Sequence, residues 1–227
     1  MSKILIPTKG PEDWKNFLAE PSKQWRSGYS AKTLAYCWEA TKDFPDCVRK
    51  VFSQSGMSRF KDIELLLAIP EYQVPIPGGS RPSQNDIFVL ARAEQQLMTI
   101  TVEGKVSEPF GPTIDEWLKK DSSGKRKRLS YLCEKLGLPE EVERKIRYQL
   151  LHRTASALIE AERFSASSAL MLVHSFSHEH AWLEDYQAFL ALFGKGGEAN
   201  SVTYAGKKNG IDLYLSWVVG DKKFLKV

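Results

Sequence analysis

The segment Ala169–Val173 is an uninterrupted run of apolar residues, and it constrains the fold more than any other feature of the chain. A strand without polar alternation must be covered on both faces, which is typical of the centre of a sheet flanked by helices. A helix predicted over Glu140–Phe164 precedes this strand, and a second helix predicted over Glu179–Phe193 follows it. Because strands alternate with helices in this part of the chain, the sequence predicts an α/β fold with a mixed sheet.

The middle of the chain is predicted to be rich in strands. Leu97–Val106 alternates apolar and polar residues with the period of a half-buried strand, and the short apolar strand Ile87–Ala91 precedes it. Tyr72–Ile76 is interrupted by proline and is therefore predicted as an edge strand. Residues 107–139 are predicted to be mostly connection, with a short helix near Ile114–Lys119. Ile211–Val219 is predicted to be the last strand.

Length and composition favour one domain over two. The chain has 227 residues, of which 42% are hydrophobic, enough to bury a single core. Within one domain spanning residues 1–227, we expect a helical N-terminal part over 1–57, a core over 58–178, and a C-terminal helix and strand over 179–227. Ser30–Ala40 carries the helical pattern of the N-terminal part, with an N-cap serine and apolar residues on one face.

Cysteine usage and hydropathy predict a soluble protein of the reducing cytoplasm. The chain has no run of about 18 apolar residues, so no membrane-spanning helix is expected. The first seven residues meet a proline too early to form a secretory signal. Cys37, Cys47 and Cys133 form no C-x-x-C pair and are expected to be free thiols. The net charge of +4 is compatible with a polyanionic partner without requiring one.

Two carboxylates and a lysine are expected to meet at one end of the predicted strands. Glu103 and Lys105 are two residues apart on one strand, so their side chains share a face, and Asp86 begins the preceding strand. If these strands pair as a hairpin, the three side chains cluster. Mg²⁺ prefers carboxylate, water and phosphate oxygens, and a neighbouring lysine can stabilise charge or orient a water molecule. Packing alone would not select two charges and Gly104 in such a strand.

The spacing of the acidic residues resembles the motif of the PD-(D/E)-x-K superfamily of restriction-endonuclease-like nucleases. In this chain the motif consists of Asp86, a gap of 16 residues, and Glu103-Gly104-Lys105 at the end of an apolar strand. The core of that superfamily runs helix, three strands, helix, strand (αβββαβ), which matches the order predicted over about residues 60–176. The resemblance implies a restriction-endonuclease-like core, with a mixed sheet flanked by helices, and an N-terminal helical extension. It also implies that Asp86 and Glu103 bind Mg²⁺, for which Mn²⁺ can substitute, and that Lys105 assists the attacking water.

The resemblance has one departure from the superfamily pattern and extends to one further family. Asn85 precedes Asp86 where the superfamily pattern has a proline. The chain as a whole also resembles an uncharacterised bacterial family, in the phrases Glu103–Val106 and Arg147–Arg153.

Four further residues are candidates to support the site. Many members of the superfamily add a glutamate from the first core helix, which Glu39 or Glu71 would provide here. Some place a glutamine on the later helix, where Gln149 lies one turn from Arg153 and shares its face. For each of the four residues, a solvated surface position is the alternative interpretation.

Basic residues are concentrated in two segments that are predicted to be loops. Arg81 lies in a loop rich in glycine and proline, and a second cluster consists of Lys125, Arg126, Lys127 and Arg128. Contacts from such residues to phosphates would give sequence-independent, salt-sensitive binding of nucleic acid. A solvated loop is the alternative interpretation of the second cluster.

These features predict a metal-dependent phosphodiester hydrolase, a DNA endonuclease that acts in restriction or phage defence. By analogy with related nucleases, a homodimer would provide two active sites for the two strands of DNA. One alternative is a catalytically inactive protein of the same fold that binds nucleic acid or a protein partner. Another is an interaction protein without a nucleic-acid role. A P-loop or dinucleotide fold is disfavoured, because no glycine-rich turn follows a strand and opens a helix.

Overall fold

Six strands form one sheet in the part of the chain that the computed structural model describes, residues 8–227. The strands are β1 (Glu64–Val74), β2 (Ser83–Ala93), β3 (Gln96–Lys105), β4 (Ser168–Ser175), β5 (Ser201–Lys208) and β6 (Ile211–Val219). The α-helices of the same residues are α1 (Pro21–Gln24), α2 (Ser30–Glu39), α3 (Asp46–Gln54), α4 (Ser58–Lys61), α5 (Ile114–Leu118), α6 (Ser123–Leu136), α7 (Tyr148–Arg163) and α8 (Leu183–Ala191). Two 3-10 helices cover Pro11–Phe17 and Lys222–Lys226.

The sheet is mixed and has the strand order β1-β2-β3-β4-β6-β5. β1, β2 and β3 form an antiparallel meander, β3 and β4 pair in parallel, as do β4 and β6, and β5 forms an antiparallel hairpin with β6. The connection from β3 to β4 contains α5, α6 and α7, since two parallel strands require a long crossover. The fold is therefore α/β, with helices flanking a six-stranded mixed sheet.

β4 is a central strand of the sheet and is buried along its whole length. Ala169, Met171 and Val173 pack into the apolar core that includes residues of α5 to α8. Leu170 and Leu172 pack into the opposite core, which includes residues of α2, α3 and α4. The prediction of a strand covered on both faces is confirmed, and this strand joins the two cores of the molecule.

Helix α7 begins eight residues later than its sequence pattern predicts. Ile146 is buried, but the backbone around it pairs with another segment instead of continuing a helix. The amide of Ile114 donates to the carbonyl of Ile146 at 2.9 Å, and Arg147 forms an isolated bridge with Thr113. Because these backbone groups are used in pairing, the helix starts only at Tyr148.

Helix α6 lies in the segment that is predicted from sequence to be mostly connection, so that prediction is wrong for these 14 residues. Ser122 caps the helix by accepting from the amide of Lys125 at 3.2 Å, and Gly137, in a left-handed conformation, ends it. Its buried side chains recur at helical spacing and form an apolar stripe: Leu129, Leu132, Cys133 and Leu136. The basic residues 125–128 therefore lie in the first turns of a helix and not in a loop.

Strand β5 is also missed from sequence, and the C-terminal part is a helix followed by a hairpin. Asn209 and Gly210 connect β5 to β6, and both have a positive φ. An Asn-Gly pair is favoured in the tight turns that join two antiparallel strands. The predicted edge strand Tyr72–Ile76 contributes the end of β1, which does lie at an edge of the sheet. No helix within residues 8–227 has the length and apolar character needed to span a lipid bilayer.

Candidate active site

Three carboxylates lie side by side on neighbouring strands at one end of the meander. The pairing of Ile87 with Val102 places Asp86 of β2 opposite Glu103 of β3. Glu71 of β1 lies opposite Asp86 in the antiparallel register of β1 with β2. Because adjacent strands are only about 5 Å apart, the three side chains form a row of acidic groups across the sheet.

Glu103 is almost completely buried and is held by three hydrogen-bond donors. Its Oε1 accepts from Lys105 Nζ at 2.7 Å and from Gln149 Nε2 at 2.8 Å, and its Oε2 accepts from Arg153 Nε at 2.5 Å. Lys105 Nζ also donates to Gln149 Oε1 at 3.2 Å. Burial alone would raise the pKa of Glu103, but the neighbouring Arg153 and Lys105 outweigh it and hold that pKa below its usual value. Glu103 is therefore an anion in a closed network.

Helix α7 brings Gln149 and Arg153 to this network because the polar side of β3 faces the helix. Thr101 Oγ1 donates to the carbonyl of Arg153 at 2.9 Å, and Thr99 Oγ1 donates to the carbonyl of Ala157 at 2.7 Å. The alternation that predicts a half-buried strand thus has another cause. Both faces of β3 are covered, and its threonines satisfy hydrogen bonds beneath α7.

Gly104 lies where Asp86 approaches β3 closely. The amide of Gly104 donates to Asp86 Oδ2 at 2.7 Å. A Cβ atom at this position would lie 3.3 Å from Asp86 Oδ2 and 3.1 Å from Leu34 Cδ2. A side chain at residue 104 would therefore require the Leu34 and Asp86 side chains to shift by a few tenths of an ångström.

The ionised forms of Asp86 and Glu71 are only weakly compensated by the protein. Within residues 8–227 neither carboxylate forms an ion pair, whereas Glu103 pairs with both Lys105 and Arg153. Burial and the negative charge of Glu103 raise the pKa of Asp86 to about 7. Burial and the negative charge of Asp86 raise the pKa of Glu71 to about 8. A divalent cation beside these oxygens would relieve both effects.

The carboxylates open into a cleft of about 420 Å³. Lys105, Gln149 and Arg153 line it beside the acidic row, and the N-terminal segment supplies further lining residues, among them Lys23 and Tyr29. Tyr29 is 46% exposed although it is a large aromatic residue. The cleft therefore combines buried acids and bases with an accessible aromatic ring and lysine, which is a set that suits a phosphate-containing ligand.

A protein-family model described as a domain of unknown function (DUF6946) matches residues 7–222. The chain belongs to the DUF6946 family. Neither curated proteins nor solved structures provide a match to this chain. The region matched by DUF6946 contains the whole acidic row, the cleft and helix α7.

Glu39 is not part of the cleft of this DUF6946 chain, which corrects its prediction as a supporting residue. Its Oε1 accepts from Trp14 Nε1 at 2.9 Å and from Thr8 Oγ1 at 3.4 Å. Its carboxylate therefore binds the segment that contains Thr8 and Trp14 to α2. Glu71 instead lies at the site, although its backbone has a φ of +51°. A non-glycine residue in this conformation costs about 1–3 kcal/mol, and such residues cluster at functional sites.

The predicted phosphate-binding residues divide into two groups. Arg128 is buried and donates from Nη2 to the carbonyls of Ile76 and Gly79, so it is structural, and its prediction as a phosphate contact is corrected. Arg81, Arg126 and Lys127 are exposed, and Lys125 is half-buried with Nζ 5.3 Å from the centre of the Trp117 ring. The contacts of Arg128 hold the loop that precedes Arg81 against α6.

Two positions at the site were not assigned a role from sequence. Gln84 Nε2 donates to Glu71 Oε2 at 2.6 Å, and Ser83 Oγ accepts from Arg153 Nη1 at 3.2 Å. The sequence signal for Gln84 is its spacing of two from Asp86, which places both side chains on one face of β2. His152 Nδ1 lies 2.8 Å from Ser83 Oγ, and burial with nearby cations holds the pKa of this histidine well below its usual value.

Proposed function

We propose that this protein is a metal-dependent phosphodiester hydrolase that cleaves DNA with a restriction-endonuclease-like active site. One observation carries the proposal. Glu71, Asp86 and Glu103 form an acidic row beside Lys105, in which Glu103 is buried and the other two carboxylates are half-buried. Desolvation and neighbouring negative charge raise the pKa of Glu71 to about 8 and that of Asp86 to about 7. Carboxylates that are crowded together and partly removed from water are costly in a structural role, and they mark candidate functional sites.

The order of elements supports the same reading. β1, β2 and β3 form the meander that carries the acids, α7 crosses over, and β4 pairs in parallel with β3. With α4 in front of β1, the elements follow the order helix, three strands, helix, strand that is expected of a restriction-endonuclease-like core. Helices α5 and α6 are then an insertion before α7, and α1 to α3 form the N-terminal extension.

The residues present fit a hard divalent cation. All candidate ligand atoms are carboxylate oxygens, and Glu103 accepts three hydrogen bonds, so it retains capacity for one more contact. Asp86 and Glu103 would hold Mg²⁺ or Mn²⁺, with Glu71 beside Asp86. A bound cation would supply compensation for the charge that develops on a phosphate during hydrolysis.

The protein's own side chains then have distinct tasks. The Lys105 ammonium lines the cleft and can donate to a water molecule or to a phosphate oxygen. Arg153 and Gln149 keep Glu103 ionised and oriented, since each donates to a different oxygen of its carboxylate. The exposed basic residues Arg81 and Lys127 would contact the DNA backbone independently of sequence. A restriction or defence setting and a homodimer that cuts both strands belong to the same proposal.

A catalytically inactive binding protein is the second candidate, and one observation favours it. Lys105 and Arg153 already neutralise Glu103, so a cation must compete with their hydrogen bonds. If the cation loses this competition, the cleft and the exposed basic residues would bind nucleic acid or a protein partner without cutting.

Plasmid cleavage with Mg²⁺ or Mn²⁺ tests the proposal. The native chain should nick or linearise the DNA, whereas Asp86→Asn and Lys105→Ala should each lose at least about a hundredfold in rate. Glu39→Gln is the matched control, because it also neutralises a carboxylate but lies outside the cleft. Equal cleavage by native and both site variants would refute the assignment of the site. The absence of cleavage of plasmid and single-stranded DNA with either metal would overturn catalysis in favour of the binding protein.

A further inference from the structure

A second polar cluster lies within the core formed with α2, α3 and α4. It joins Cys37 of α2, Cys47 of α3 and His174 of β4, whose sulfur and nitrogen atoms all lie within 4.8 Å of one another. His174 Nε2 is 3.3 Å from Cys47 Sγ. Since side chains alternate along a strand, His174 points to the face opposite Val173, away from the α7 side where Glu103 lies. The cluster is therefore separate from the acidic row.

The hydrogen bond of Trp38 fixes the tautomer of His174. Trp38 Nε1 donates to His174 Nδ1 at 3.1 Å, and an indole N–H can only donate. Nδ1 must therefore offer its lone pair, and the neutral ring carries its proton on Nε2, which faces Cys47. A metal ion on Nε2 would require the proton to move to Nδ1, where it would oppose the Trp38 N–H. The geometry thus favours donation to sulfur over coordination of a metal.

Three further features favour a thiolate at Cys47. It is the second residue of α3, where helix amides and the helix dipole stabilise a negative charge. Cys47 Sγ accepts hydrogen bonds from the Cys37 thiol, the His174 ring and the Val48 amide. These hydrogen bonds outweigh the effect of burial and lower the pKa of Cys47 to about 4. The same contact with Cys47, together with burial, raises the pKa of Cys37. The surroundings therefore favour ionisation of Cys47 over that of Cys37.

Small molecules can reach the pair from the surface. A cleft of about 180 Å³ is lined by both cysteines together with Thr41, Asp221 and Lys223. Cys47 is half-buried, whereas Cys37 is buried. This arrangement would admit a small oxidant to Cys47 first and keep Cys37 in reserve.

We propose that Cys47 and Cys37 form a redox-active dithiol that a hydroperoxide oxidises to a disulfide within the chain. The Cys47 thiolate attacks one peroxide oxygen, the O–O bond breaks, and the departing oxygen takes a proton from solvent. The Cys37 sulfur then attacks the sulfenic sulfur of Cys47, the S–O bond breaks, and water leaves with the Cys37 proton. Two thiols are oxidised and one peroxide is reduced. A thiol reductant restores the pair, and nothing in these steps depends on the nuclease proposal.

The test counts free thiols in the denatured chain before and after the folded, full-length protein meets hydrogen peroxide. The native chain has three cysteines, and its count should fall from three to one. Cys133→Ser, the control outside the cluster, should fall from two to none, and Cys47→Ser should remain at two. Cys37→Ser should stop at a sulfenic acid on Cys47 that a dimedone reagent traps. Trypsin should release peptides 33–42 and 43–49 joined by a disulfide from the monomer band of a non-reducing gel.

Three outcomes would overturn the proposal. The native count could stay at three, or the linked peptides could occur only in a cross-linked dimer. Alternatively, zinc could bind the native chain one to one and protect both cysteines, which would identify a metal site instead. The native chain and Cys133→Ser decide the matter even if Cys47→Ser fails to fold, because both retain the complete cluster.

Discussion

Arg153→Met removes the buried cation that holds Glu103, and we expect a large loss of stability. The two side chains are 9% and 4% exposed, and the Nε to Oε2 distance is 2.5 Å. Removing one partner of a buried ion pair costs about 3–5 kcal/mol, because the other charge stays buried. Lys105 still contacts Glu103, which places the expected loss at the lower end, about 3 kcal/mol.

Urea unfolding followed by circular dichroism measures this loss. With a slope of about 3 kcal/mol per molar urea for a chain of this size, the midpoint should fall by about 1 M. Arg126→Met is the matched control, because that side chain is 77% exposed and its ion pair with Asp121 should contribute less than about 1 kcal/mol. Adding Glu103→Gln to Arg153→Met should recover part of the loss. Equal, small losses for the two arginine variants would refute the account of a buried charged network.

Three further predictions concern the site, its titration and the helix missed from sequence. Gly104→Ala should cost about 1–3 kcal/mol in thermal unfolding, because its Cβ would crowd Leu34 and Asp86; an unchanged melting temperature would contradict this. Because the pKa values of Asp86 and Glu71 are raised in the folded chain, protonation of these groups favours the folded state at low pH. This stabilisation should be lost as the pH rises from about 4, near the pKa values of the unfolded chain, to the folded-state values of about 7 for Asp86 and about 8 for Glu71. Without divalent cations, Asp86→Asn should therefore raise the melting temperature more at about pH 8 than at about pH 5, and an equal effect at both would contradict the cited shifts. Leu132→Ala should cost about 2–5 kcal/mol if α6 packs as described, and a loss below about 1 kcal/mol would contradict that packing.

The elements predicted best from sequence are those whose pattern has a single physical cause. The apolar run Ala169–Val173 is typical of a strand covered on both faces, and β4 is such a strand. The alternation of apolar and polar residues in β3 correctly predicts a strand, but it wrongly suggests that the polar face meets water. Thr99 and Thr101 instead donate hydrogen bonds to backbone carbonyls of α7. Periodicity records which residues are polar, but it does not record whether water or a helix satisfies them.

The two missed elements carried recognisable patterns. The apolar stripe of α6 runs from Leu129 to Leu136, but the four basic residues before it resemble a solvated loop. Asn209-Gly210 marks the hairpin of β5 and β6, although the polar residues of β5 weaken its own strand pattern. In both cases the capping or turn residues were more informative than average hydrophobicity.

The residues of the candidate site could be predicted where they are close in sequence on one hairpin. They were harder to predict where distant elements must pack together. The structure brings Asp86, Glu103 and Lys105 together, as their positions on a hairpin suggest. Glu39 could not be excluded from sequence, because its distance from the cleft depends on how α2 packs. The cluster around His174 could not be predicted, since 127 residues separate it from Cys47 and the tautomer depends on Trp38.

Calorimetric titration of Mn²⁺ into the native chain tests most directly the claim that the acidic row is a divalent-cation site. At about pH 8, where Asp86 and Glu103 are largely ionised, the native chain and Glu39→Gln should bind with the same affinity. Asp86→Asn should bind at least about tenfold more weakly. Absence of binding to the native chain, or equal affinity for Asp86→Asn, would contradict the account.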